Sequence, residues 1–170
     1  MRSAIVLMIL AVSAIAQDQP AVTAPACGPQ KINFDVQVDE SQHTLGQPEP
    51  GKARVYFVED LGEVNCSLNC VRVKIGLDGA WVGASRYNSY FSVSVAPGEH
   101  HVCANPQSRF ALGRLVALAH FTAEAGKTYY FRTRIFGAEN QGLIDLEPID
   151  SDQGKYLVAS YPLSVSTPKR

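Results

Sequence analysis

The strongest constraint in this chain is a two-residue periodicity. Ile32, Phe34, Val36 and Val38 alternate with Asn33, Asp35 and Gln37, and Val71, Val73, Ile75 and Leu77 alternate with Arg72, Lys74 and Gly76. Successive side chains of a strand point to opposite faces, so each run predicts a strand with one buried and one solvated face. The second run ends on Asp78-Gly79, a pair suited to a two-residue hairpin turn because both positions tolerate positive φ. Ala80 to Ala84 reads as the returning strand.

The same alternation marks Arg54 to Val58, Ser89 to Val95 and, after a Pro97-Gly98 turn, His100 to Ala104. Leu115 to Ala123 and Thr128 to Phe136 read as a further hairpin around Glu124-Ala125-Gly126-Lys127, and Asn105 to Arg114 reads as a loop. About eight short strands at this spacing predict an all-β fold, an antiparallel β-sandwich of Ig-like or prealbumin-like type. One short C-terminal helical turn is expected from Gln153 to Ala159, capped by Asp150 or Ser151 and stopped by Pro162.

Ahead of the strands the chain has a different character. Arg2, the apolar run Ala4 to Val12 and the small residues Ala14-Ile15-Ala16 have the layout of a secretory signal peptide spanning residues 1–16. Residues 17–30, with Pro20 and Pro25, read as an extended Pro-rich tether, and 31–170 as a single β-sandwich domain. The expectation is an exported protein, periplasmic or extracellular, soluble after signal cleavage and without a transmembrane segment. With 15 basic against 16 acidic side chains, no nucleic-acid partner is expected.

Four cysteines in an exported chain imply disulfides. Three pairings are possible. The favoured one closes Cys66 and Cys70 into a local ring before the Val71 strand and leaves Cys27 to reach Cys103.

The run Pro50-Gly51-Lys52-Ala53-Arg54-Val55-Tyr56, then Leu77-Asp78-Gly79 with Gly83, then Ser89-Tyr90-Phe91 leading to Pro97-Gly98-Glu99-His100, resembles a bacterial family, domain of unknown function 2846. The likeness covers roughly Gly51 to Arg134, and the Pro-Gly-x-His hairpin is also similar to PEGA-type β-domains. The resemblance implies a small exported or lipid-anchored envelope protein with a β-sandwich fold and no assigned activity. Unlike the lipoprotein members, this chain has no cysteine at the signal cleavage site.

Residues that carry chemistry are sparse. The sequence has no Gly-x-Ser-x-Gly elbow, His-Glu-x-x-His pair or glycine-rich phosphate loop, so a hydrolase is the least favoured reading and no catalytic residue is assigned. His100 and His101 come nearest to a metal pair, but neighbours on a strand point to opposite faces, so neither a metal nor another cofactor is expected. Asp145, Glu147, Asp150 and Asp152 read as a solvated acidic face. The candidate binding surface is a basic and aromatic stripe of Arg72, Lys74, Tyr130, Arg132 and Arg134, formed if their two strands share a sheet. Trp81, Tyr87 and Tyr90 at strand ends are a second candidate. The function expected is that of a non-catalytic cell-envelope module acting through surface interactions with an envelope protein or glycan. A domain binding an anionic glycan or a metal is the alternative.

Overall fold

The structure of the protein, a computed structural model, describes residues 26–29, 32–43, 45–62, 71–107, 115–136 and 143–169. Among these, ten strands and one helix follow one another: β1 (Phe34–Asp39), β2 (Ala53–Glu59), β3 (Arg72–Leu77), β4 (Ala80–Arg86), β5 (Ser89–Val95), β6 (Gly98–Gln107), β7 (Ala117–Ala123), β8 (Thr128–Phe136), β9 (Leu143–Ile149), α1 (Ser151–Ser160) and β10 (Leu163–Pro168). They build a six-stranded sheet in the order β1-β10-β5-β2-β8-β9 and a four-stranded sheet in the order β4-β3-β6-β7. The protein is an all-β sandwich with a helix on one outer face.

Alternation explains which residues meet. Val55 and Phe57 of β2, Phe91 of β5 and Phe131 of β8 face Val73 and Ile75 of β3 and Val102 of β6 across the sandwich. The Phe57 ring lies 5.5 Å from that of Phe91 and 5.9 Å from that of Phe131. Fully burying such a side chain contributes about 1.5–3 kcal/mol. On the opposite face of the six-stranded sheet, Tyr56, Val58, Tyr90 and Tyr130 pack against Leu157 and Val158 of α1. A β-carbon at position 154 would fall 2.2 Å from the Tyr130 ring, so Gly154 is what lets the helix come this close. Asp150 caps α1, its Oδ1 accepting from the N–H groups of Asp152 at 2.9 Å and Gln153 at 3.0 Å. The helix stops before Pro162 as expected.

All eight expected strands form, and β9 and β10 add to them. The six-stranded sheet is mixed, because β2 pairs with β8 and β10 with β5 in parallel. Between β2 and β8 the chain builds β3 and β4 of the other sheet, returns for β5 and then builds β6 and β7, and α1 later carries it from β9 at one edge to β10 beside β1 at the other. Crossovers of that length leave strand direction free. The Glu124–Lys127 turn is therefore not a hairpin: β7 pairs with β6, whereas β8 pairs with β2 and β9. The apolar faces that suggested a hairpin meet across the core instead, Phe121 lying 5.1 Å from Tyr129 and 5.2 Å from Phe131. The segment read as a loop from Asn105 begins as strand, since β6 runs to Gln107. The Asp78-Gly79 hairpin forms as expected, with φ of 50° and 82°.

Ala26–Pro29, assigned from composition to the tether, lie on the outer face of the four-stranded sheet as a strap. Cys27 is bonded to Cys103 of β6, with Cα atoms 5.1 Å apart. The strap crosses β3 at Gly76, where a β-carbon would come within 2.7 Å of the Ala26 carbonyl oxygen. Trp81 Nε1 donates to the Pro29 carbonyl at 2.7 Å, and Lys74 Nζ to that of Ile32 at 2.9 Å. The signal-peptide segment, Gln17 to Pro25 and the Cys66 and Cys70 pair lie outside the described residues. Among the described residues no helix is long and apolar enough to cross a membrane.

The disulfide closes a loop across a separation of 76 residues. Cys27→Ser and Cys103→Ser should each lower stability by about 4 kcal/mol on the chain-entropy account. The double variant should cost little more than either single one, as read by urea denaturation.

Candidate functional site

The outer face of the six-stranded sheet holds a strip that α1 leaves uncovered. The β8–β9 register sets Arg132 opposite Glu147, Arg134 opposite Asp145 and Phe136 opposite Leu143. Below them Tyr130 and Ile149 form the rung that the helix covers. Directly opposed side chains of opposite charge attract one another, and here they interlock. Arg132 Nε donates to Glu147 Oε1 at 2.9 Å, its Nη2 bonds the same oxygen, and Arg134 Nη2 reaches that oxygen at 2.9 Å. Asp145 lies 3.9 Å from Arg134, and Asp60 extends the ladder at 3.6 Å from Arg132 Nη1. Tyr161, which ends α1, donates its hydroxyl to Asp60 at 2.7 Å. Burial and this bond to a carboxylate push the Tyr161 phenol well above its ordinary pKa. The ladder ends in an apolar rung, Phe136 43% and Leu143 67% exposed, with the Arg134 guanidinium 5.1 Å above the Phe136 ring.

The expected basic stripe does not form, because its strands belong to different sheets. Arg72 and Lys74 lie on β3 of the four-stranded sheet, and Tyr130, Arg132 and Arg134 on β8 of the six-stranded one. Lys74 is only 3% exposed, its ammonium bonded to the Ile32 carbonyl and 4.2 Å from the Trp81 ring. Burial lowers its pKa. Arg132 and Arg134 are matched by three carboxylates, so the strip is polar rather than basic. The second candidate also separates. Tyr90 and Tyr130 are buried under α1, the Tyr130 ring stacked on Tyr56 and the Tyr90 ring tilted against it, while Trp81 is half-buried and fastened to the strap. Tyr87 is half-buried in the turn between β4 and β5.

The two histidines point to opposite faces, as alternation requires. His100 faces the core beside Phe121, its Nδ1 donating to Asp78 Oδ2 at 2.6 Å and its Nε2 to the Ala96 carbonyl at 2.8 Å. Burial acts to lower its pKa, but these two acceptors raise it overall above 6.5. His101 lies on the outer face, 3.6 Å from Glu99 and 6.4 Å, ring to ring, from His120. Among the described residues no group of three or more His, Cys, Asp or Glu side chains is arranged to hold a metal ion.

Sequence reasoning missed Glu59, although alternation with Val55 and Phe57 places it on the core side of β2. It is completely buried. Ser85 Oγ donates to its Oε2 at 2.8 Å, while Oε1 has no hydrogen-bond partner. Burial pushes the carboxyl up to about 7, with hydrogen bonds from Ser85, Val73 and Tyr87 working the other way. It also missed the partners of the arginines. Asp145 and Glu147 were legible as a charge cluster, not as the outward face of a strand. Comparison with protein-family models, with curated proteins and with solved structures finds no match.

Glu59 and His100 tie stability to pH in the same sense. A folded-state pKa raised above the unfolded value means stability that is complete below the unfolded pKa and declines as pH rises through the folded one. For Glu59 that window runs from 4.5 to about 7. Glu59→Gln should therefore raise Tm by a few degrees at pH 8 and change it little at pH 4.5. An equal effect at both would contradict a buried carboxyl of this kind. For His100 the decline begins near 6.5 and extends higher. His100→Gln should flatten that limb of the stability curve in differential scanning calorimetry.

Proposed function

We propose that the protein is a non-catalytic, exported cell-envelope module that works through surface interactions, with the β8–β9 strip as the surface it presents to an envelope protein. The observation that carries this reading is the exposed Phe136 and Leu143 rung beside the Arg134 and Glu147 ladder. An apolar, aromatic centre flanked by arginine and paired polar groups has the composition of a recognition surface. Neutralised arginines favour a protein over an anionic glycan, which would have to displace Asp60, Asp145 and Glu147 to reach them.

Export is supported by the signal-like residues 1–16 and by the Cys27–Cys103 disulfide, which an oxidising compartment sustains. The resemblance of Gly51 to Arg134 to domain of unknown function 2846 points to the same setting. A photo-crosslinking residue at Leu143, introduced in cells that make the protein, should yield one discrete adduct. Arg134→Glu should abolish it, and the same probe at the exposed Tyr156 of α1 should not give it. Identical products from both positions, or none from Leu143, would count against this surface.

A further inference from the structure

We propose that β7 is a self-association seam, pairing antiparallel with β7 of a second copy to join two four-stranded sheets into one continuous sheet. The two sheets have four edges, β1 and β9 of one and β4 and β7 of the other. An exposed edge offers unpaired backbone N–H and C=O groups, and proteins blunt such edges with charge, proline or cover. β9 carries Asp145, Glu147 and Pro148, and β1 carries Asp35 and Asp39. β4 is covered by β1 and β10, the Ala84 N–H donating to Ser166 Oγ at 3.1 Å.

Among the described residues β7 shows none of these devices. Its sequence, Ala117-Leu118-Ala119-His120-Phe121-Thr122-Ala123, holds no acidic residue, lysine, arginine or proline. It pairs with β6 in unbroken register from Gly98 opposite Ala123 to Ala104 opposite Ala117, so the side turned away from β6, unpaired among the described strands, is a regular ladder. Leu118 stands out from its outer face, 66% exposed, and Val116, just ahead of the strand, is 49% exposed.

A strand without formal charge can meet its own copy without repulsion. A twofold axis sets each residue of an edge strand against a residue of the identical strand, and like charges directly opposite are destabilising. β9 and β1 would bring acidic groups together across such an axis. β7 brings together only apolar side chains, Thr122 and His120, and antiparallel pairing in matched faces puts Leu118 against an outer-face residue of the other copy. The seam lies on the four-stranded sheet, so it leaves the β8–β9 outer face available.

The test uses the exported protein purified from cells, examined by sedimentation and by hydrogen exchange from about 1 μM to about 1 mM. Wild-type protein should pass from monomer to dimer, and amides of 117–123 should gain protection as concentration rises. Leu118→Lys, a change at an exposed side chain, should keep the monomer's circular dichroism and Tm while raising the dissociation constant about tenfold or more. Tyr156→Lys on α1 should leave dimerisation unchanged. A protein that stays monomeric throughout the range would overturn the proposal. So would a dimer that survives Leu118→Lys without protection of β7, or protection of β7 that is independent of concentration, which would mean that the chain covers this edge itself.

Discussion

Strand β2 is apolar on both faces, and that double requirement dictates the layers around it. Val55 and Phe57 need a second sheet to cover them, while Tyr56 and Val58 need something on the opposite side. One sandwich cannot satisfy both. The helix is the answer to the second face, and its close seat on Tyr130 depends on the missing side chain at Gly154. Glu59, last in β2, is carried into the interior by the same alternation that buries Val55 and Phe57. Its elevated pKa is a by-product of that placement.

The four-stranded sheet has its own outer face to cover, and does so with backbone. The strap from Ala26 to Pro29 lies over Gly76, and Lys74, Trp81 and Cys103 each fasten part of the segment that follows or forms it. Side chains that could have served as an exposed binding surface are thereby committed to holding the chain's own N-terminal side. Among the described residues the β8–β9 strip on one sheet and Leu118 on the outer face of β7 on the other stay exposed.

Much of this was legible in local pattern. β1, β3, the Asp78-Gly79 hairpin and the Asp150 cap were readable because a two-residue period, a pair of left-handed turn residues and a capping carboxylate each act within a few residues. β9 escaped because Asp145 and Glu147 draw attention as charge, although Ile144 and Leu146 alternate with them to face the core. The partner of each strand was not legible. Alternation states which side of a strand is buried but not which sheet the strand joins, so Arg72 and Arg132 could share a face in the sequence and lie in different sheets in the fold.

The Cys27–Cys103 bond also decides where the protein would carry tension. A pull on the N-terminal side reaches Cys27 and passes through sulfur directly into the middle of β6. Residues 28–102, which include β1 to β5, sit inside a covalent loop that the covalent path of the load bypasses, so they feel it only through the strands they pair with. Force runs instead through the remainder of β6 and on through β7, β8, β9, α1 and β10 to the C-terminal side. Mechanical resistance then rests on how quickly β10 shears from β1 and β5, a rate and not an equilibrium stability. Reducing the bond would transfer the load to the strap and to β1.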